Sequence, residues 1–236
     1  MTKKFKLGVI GAGFMSTAII GGAISSDFLS ASDIAVTDKN EEAKNRIAKR
    51  GVFVTDAKTV FNESEFVLFA VKPQNFAELK ADAENSPCKK LISIMAGVKK
   101  EKIKAVFCEA KVARCMPNTP CSVGSGAVGM DLSDYDDEKD AAFVKDLFSS
   151  FAKVAVLDES KLNAVTGISG SSPAYFYLFL KGIIEAGVKN GLDYETAKNF
   201  ATNTMIGAGK MVLDNSDKSL DELITAVCSK GGTTIE

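Results

Sequence analysis

Along the first half of the chain, short apolar blocks alternate with stretches whose apolar residues fall at helical spacing. Lys6–Ile10 is one such block and stops at Gly11, and Met15–Ile24 continues with the periodicity of a buried helix. The same reading places strands at Ile34–Thr37 and Val52–Val54, with a helix over Glu41–Lys49 between them. Phe66–Val71 is apolar throughout, as expected of a strand covered on both faces. A helix around Asn75–Ala83, a strand at Leu91–Ile94, a helix over Lys100–Phe107 and a strand at Val112–Arg114 follow. Strands and helices taken in turn predict βαβ units, and so an α/β domain with a doubly wound parallel sheet over residues 1–158.

After about Leu157 the pattern changes. Phe176–Asn190, Tyr194–Leu213 and Leu220–Cys228 read as helices, broken at Gly191-Leu192-Asp193 and Asn215-Ser216-Asp217. Residues 159–236 are therefore expected to form an all-helical domain, with more apolar surface than so short a segment can cover. A second copy of the chain would bury the excess.

Composition narrows the chemistry. A net charge of −1 over 236 residues offers no basic field for nucleic acid and no polybasic anchor for membranes. The chain has no histidine, which removes Ser-His-Asp and Cys-His catalysis and every histidine-containing metal site; no metal is expected. Five cysteines, Cys88, Cys108, Cys115, Cys121 and Cys228, include no Cys-x-x-Cys pair and read as reduced thiols. Lys3, Lys4 and Lys6 ahead of the apolar run Leu7–Ile24 imitate a signal peptide, but glycines interrupt that run, and a cytoplasmic protein is expected.

Gly11-Ala12-Gly13-Phe14-Met15-Ser16 lies between the first strand and the first helix. The first glycine permits a tight turn, the second lets backbone approach a pyrophosphate, and small Ser16 allows helix–strand contact. A helix N-terminus there supplies amide donors to phosphates, which makes this a Rossmann-type dinucleotide site. Thr37 closes the second strand, and Asp38 and Lys39 follow it, where an adenosine ribose is read. A carboxylate suits the 2′-hydroxyl of NAD(H) and a cation the 2′-phosphate of NADP(H); both charges are present. Val71-Lys72-Pro73 and Met116-Pro117-Asn118-Thr119-Pro120 leave two further strand ends at the edge where such folds bind ligands. Ser172 and Pro173 fit a helix N-cap and first-turn proline, and Asp131–Asp140 fits a solvated loop leading into a helix. Near the end, Ser229-Lys230-Gly231-Gly232-Thr233-Thr234 sets two glycines before two hydroxyls, the composition of an anion-binding nest.

Taken in order, these motifs resemble the pyrroline-5-carboxylate reductase family over essentially the whole chain. The resemblance implies reduction of 1-pyrroline-5-carboxylate to L-proline by hydride from NADP(H) or NAD(H), the last step of proline biosynthesis. It also implies a homodimer formed through the helical domain, with dimers assembling into a ring. Carried over, Ser229, Gly231, Gly232 and Thr233 would hold the substrate carboxylate, and Thr234 would contact the imine nitrogen. Gly11, Gly13, Phe14, Met15, Thr37, Asp38, Lys39, Val71, Lys72, Pro73, Asn118 and Thr119 would line the cofactor. Two departures stand out: the family usually has proline where Lys230 stands, and its members run on past the closing motif into further helices, so the helical domain is expected to be truncated after Glu236. A related imine or β-hydroxy-acid reductase and a non-catalytic dinucleotide-binding sensor are the alternative readings.

Overall fold

The computed structural model describes residues 4–82 and 88–228. Eight strands form one sheet: β1 (Phe5–Ile10), β2 (Ile34–Thr37), β3 (Phe53–Val54), β4 (Ser64–Phe69), β5 (Lys90–Ser93), β6 (Lys111–Met116), β7 (Gly126–Asp131) and β8 (Ala152–Val156). Their order is β3-β2-β1-β4-β5-β6-β7-β8. Every pairing is parallel except β6 with β7, where Arg114 faces Asp131 and Met116 faces Gly129. That reversal departs from the parallel sheet expected from the sequence. The link from β6 to β7 is one 3₁₀ turn, Thr119–Val123, ended by left-handed Gly124. A parallel crossover needs a dozen or more residues, so this link can only return antiparallel.

Helices cover both faces. Helices α1 (Phe14–Ser25) and α2 (Glu41–Ala48) follow β1 and β2; α3 (Ala57–Glu63) follows β3; a 3₁₀ turn (Pro73–Glu78) leads into α4 (Leu79–Asp82) after β4. Helix α5 (Lys100–Lys104) precedes β6 and α6 (Glu138–Ser149) precedes β8. Strand β4 shows why its apolar run is unbroken: Phe66 and Leu68 join one core with Ile19, Ile20 and Phe148, while Val67 and Phe69 join the other with Val60, Phe61 and Ile103. Phe66 stacks on Phe143 of α6 with ring centroids 4.3 Å apart. Burying a phenylalanine in this way contributes on the order of 2 kcal/mol.

Helix α3 and strands β7 and β8 were not legible in the sequence. Helix α3 is nucleated by Asp56, whose carboxylate accepts the Thr59 N–H at 2.9 Å. Strands β7 and β8 read Gly-Ala-Val-Gly-Met-Asp and Ala-Lys-Val-Ala-Val, small and mixed residues without a strong apolar period. Asp131 does not begin a solvated loop; it ends β7, is 4% exposed and pairs with buried Lys100. Lys100 Nζ also bonds Ser133 at 2.7 Å and Asp134 at 3.0 Å, and Asp131 Oδ2 accepts the Glu159 N–H at 2.8 Å. Glu159 Oε1 in turn accepts from the Lys100 backbone at 2.7 Å and from Arg114 at 3.2 Å. This buried charge network ties β6 and β7 to the turn that opens the next segment.

From Glu159 the chain forms a 3₁₀ turn, then α7 (Leu162–Val165), a π-helical turn (Thr166–Gly170) and α8 (Ser172–Lys189). Ser172 therefore follows residues that are already helical, and its hydroxyl donates to the Ile168 carbonyl at 2.9 Å. It is not the N-cap expected from the sequence, because no helix starts there afresh. By internal contacts the chain divides between Pro173 and Ala174. The second unit holds most of α8, then α9 (Tyr194–Asp214) and α10 (Leu220–Val227). Asp193 caps α9 through the Thr196 N–H at 2.9 Å, and Ser219 with Glu222 forms a capping box on α10.

Within that unit only Ala197 and Ala201 are buried hydrophobics among the described residues, while Phe179 and Phe200 are more than 60% exposed. Phe179, Ile183, Leu192, Phe200 and Met205 line an apolar groove of about 370 Å³. An apolar surface this contiguous marks an interaction face. No helix among the described residues is long and apolar enough to cross a membrane.

Candidate functional site

The carboxyl ends of β1, β2 and β4 enclose a cleft of about 490 Å³. Gly11, Gly13, Thr37, Asp38, Lys39, Val71 and Lys72, all expected from the sequence, line it. Gly11 has φ +106°, and a Cβ added there would lie 2.7 Å from the Ala70 carbonyl oxygen. Both facts require glycine. Its N–H donates to the Thr37 carbonyl at 2.8 Å, which bends the chain across the top of β2.

Gly13 plays a different part. It is the N-cap of α1, in extended conformation with φ −75°, and nothing lies within 4 Å of where a Cβ would be. No side chain among the described residues caps α1, and its first turn holds no acidic residue. The amides of that turn therefore have no side-chain acceptor among the described residues and carry the positive end of the helix dipole, as a diphosphate requires.

Asp38 fixes the far wall. Its Oδ2 accepts the Ala12 N–H at 2.6 Å and its Oδ1 accepts the Asn40 N–H at 2.8 Å. Lys39, beside it, is ion-paired to Glu78. Arg46 reaches the outer side of the glycine turn, donating to the Ala12 carbonyl at 3.2 Å. The residues fit a dinucleotide: a bare helix N-terminus for the phosphates, and a carboxylate at the ribose end.

The other expected cofactor residues lie elsewhere. Phe14 is 62% exposed and lines a larger cleft, about 710 Å³, on the flank of α1 with Arg50 and Phe151. Met15 is partly buried and packs on the core, and exposed Pro73 begins the 3₁₀ turn after β4. Thr119 is exposed on the turn after β6. Asn118 is buried, and its amide is engaged within the protein: Oδ1 accepts the Ala127 N–H at 2.9 Å, and Nδ2 donates to Ser169 Oγ at 3.1 Å. It braces the strand-edge turn against the π-helical turn. Asn118→Ala is expected to lower stability by about 1–3 kcal/mol, read as a lower urea midpoint, because the Ala127 N–H loses its partner. An unchanged midpoint would mean the brace carries nothing.

Asn40, Asn75 and Glu78 line the cleft without having been singled out in the sequence. Asn40 did leave a trace, as an N-cap accepting the Ala43 N–H before the helix at Glu41. Glu78 left none, since a glutamate in a polar stretch looks like any solvated one. Ser229, Gly231, Gly232, Thr233 and Thr234 lie outside the described residues.

Residues 159–236 match the family model "Pyrroline-5-carboxylate reductase dimerisation", and residues 6–97 match "NADP oxidoreductase coenzyme F420-dependent". A pyrroline-5-carboxylate reductase of Haemophilus influenzae is 40% identical over 231 residues, covering 95% of this chain and 84% of that protein. The chain belongs to the pyrroline-5-carboxylate reductase family. A relative from Arabidopsis thaliana bearing the same name is 36% identical over 99% of this chain and 86% of that protein. The crystal structure of Plasmodium falciparum pyrroline carboxylate reductase with NADP bound superposes with a TM-score of 0.86 at 29% identity, covering all of this chain and 88% of that one. The reductase family thus accounts for both halves of the chain, and its dimerisation domain coincides with the segment that leaves its own apolar residues uncovered.

Proposed function

We propose that this chain reduces 1-pyrroline-5-carboxylate to L-proline, taking hydride from NAD(P)H in the cleft of Gly11, Gly13 and Asp38. The observation that carries the reading is the junction, in one chain, of that dinucleotide cleft with a segment matching the reductase dimerisation model. The nicotinamide supplies two electrons and a hydrogen to the imine carbon when bound. The protein aligns the partners and excludes water, while the nitrogen takes up a proton.

Ser229 and the amides of Gly231, Gly232 and Thr233 hold the substrate carboxylate in this proposal, and Thr234 hydrogen-bonds the imine nitrogen. A protonated cyclic imine is already electrophilic, so the absence of histidine from the chain costs the reaction nothing. Residues 1–158 serve the cofactor; residues 159–236 serve substrate and dimerisation. A homodimer covers Phe179, Phe200 and their neighbours, and dimers join in a ring. Five cysteines, none in a Cys-x-x-Cys pair, suit the reducing cytoplasm, where we place the protein.

The test follows NADH and NADPH oxidation by the purified chain with and without 1-pyrroline-5-carboxylate, quantifying L-proline. Proline formed in step with cofactor oxidation supports the reading. Cofactor binding without proline would favour a dinucleotide sensor. Thr234→Ala is expected to lower kcat by roughly 10²-fold with little change in cofactor affinity; equal loss of both would count against its role.

A further inference from the structure

We propose that the cleft selects a dinucleotide with a free ribose 2′-hydroxyl, NADH, and disfavours the 2′-phosphate of NADPH. The inference rests on the reductase reading above and names the cofactor which that reading leaves open.

Asp38 stands at the end of β2, where this fold meets the adenosine ribose. Its carboxylate is held from two sides, by the Ala12 N–H on the glycine turn and by the Asn40 N–H ahead of α2. Ala12 is fully buried. If Asp38 swung aside for an anion, the Ala12 N–H would be left without a partner and without water to replace it. The charge is therefore fixed in place. Each carboxylate oxygen keeps a further lone pair, which suits a hydroxyl donor. A phosphate ester offers acceptors and a charge of about −1.5 to −2, and is repelled by that carboxylate.

The neighbouring cations do not reverse this. Lys39 is ion-paired to Glu78, so a phosphate drawing on Lys39 must compete with a second carboxylate in the same cleft. Lys72 follows β4 on the turn after Val71. Arg46 is committed to the Ala12 carbonyl and is not among the lining residues. The charged lining residues are thus Asp38 and Glu78 against Lys39 and Lys72, with no cationic excess. The Plasmodium relative was crystallised with NADP; this chain is expected to differ in preference.

Titrating the full chain with NADH and with NADPH by cofactor fluorescence tests the proposal, alongside kcat/KM for each. NADH is expected to bind at least about tenfold more tightly. Asp38→Asn keeps an oxygen for the Ala12 N–H but removes the charge, and should shift the NADPH/NADH ratio by about tenfold toward NADPH. Glu78→Gln leaves Asp38 in place and removes a carboxylate charge from the cleft beside Lys39, so it should shift the ratio the same way by a smaller step. If Asp38→Asn fails to fold, Glu78→Gln carries the test. Equal affinities or an NADPH preference in the unsubstituted chain would overturn the proposal, as would a ratio unmoved by the variants. Tighter NADH binding without proline formation would sink the reductase reading and leave this inference standing; binding of neither dinucleotide would sink both.

Discussion

Gly13→Val is expected to weaken dinucleotide binding by at least about 10²-fold, or roughly 2.7 kcal/mol, while the free protein stays folded. The backbone at Gly13 is already in a region any residue adopts, and a Cβ there meets nothing within 4 Å. The fold has no steric reason to reject valine. The added methyls instead occupy the space before the α1 amides, which is where phosphates must come. Gly11→Ala should behave in the opposite way: its φ of +106° and the Ala70 carbonyl at 2.7 Å make the substitution a folding defect first. Parallel titrations and thermal melts of the two variants separate the roles. If Gly13→Val binds NADH within tenfold of the unsubstituted chain, the phosphates do not lie across the α1 N-terminus.

Lys100→Met is expected to cost about 3–5 kcal/mol of stability, the usual consequence of removing one partner from a buried ion pair. For a chain of this size that lowers the melting temperature by roughly 10 °C. Lys100 is 8% exposed and serves Asp131, Ser133 and Asp134 together, so methionine would leave the buried Asp131 carboxylate without its counter-charge, while Asp134 keeps Lys104. Burial alone would pull the Lys100 ammonium down, but its hydrogen bonds to Asp131 and Asp134 outweigh that and raise it. Burial likewise pushes both aspartates up, and bonds from Lys100 and Ser133 to Asp131, and from Lys104 and Lys100 to Asp134, more than reverse it.

The pH dependence follows in sign. The depressed carboxylates contribute stability that is complete above their ordinary value of 3.8 and is lost as pH falls through their lowered values. The raised lysine contributes stability that is complete below 10.5 and is lost as pH rises past its folded value. Denaturant midpoints of the unsubstituted chain should therefore fall steeply on the acid side, and those of Lys100→Met less so. Parallel acid profiles for the two proteins would show that the network is not what holds β6, β7 and Glu159 together.

The lining of the cleft was legible in part because a glycine turn between strand and helix falls on residue types that few other structures need in that order. Gly11 and Gly13 stand out in the sequence by their glycine spacing and Asp38 as a charge just past the second strand, and all three line the cleft. Phe14 and Asn118 came from the family resemblance and from their place beside the glycine turn and a strand end, and the structure puts neither in the lining of that cleft. A helix turns its residues by about 100° each, so Phe14, next to Gly13, faces another cleft. Asn118 sits at the expected strand edge but spends its amide on Ala127 and Ser169, a tertiary arrangement that no local pattern encodes. Strands β7 and β8 were missed for a related reason. Gly126 and Gly129 are glycine because side chains from Cys121 and Val165 press on them, and those glycines erase the apolar alternation by which strands are recognised. Asp131 looked like one more acidic surface residue until its partner, thirty-one positions away, was placed beside it.

The reversal at β7 has a geometric consequence. Because β8 runs parallel to β7, both strands finish at the edge opposite the dinucleotide cleft, and the chain must climb back before α8 begins. It is pinned at the foot of that climb, where Glu159 meets Arg114, and again at the head, where Ser169 meets Asn118. Between two such pins the residue count acts as a phase setting. One residue inserted into α7 would rotate everything after it by about 100° and carry Ser169 away from Asn118. This stretch should therefore accept many changes of residue type and almost none of length.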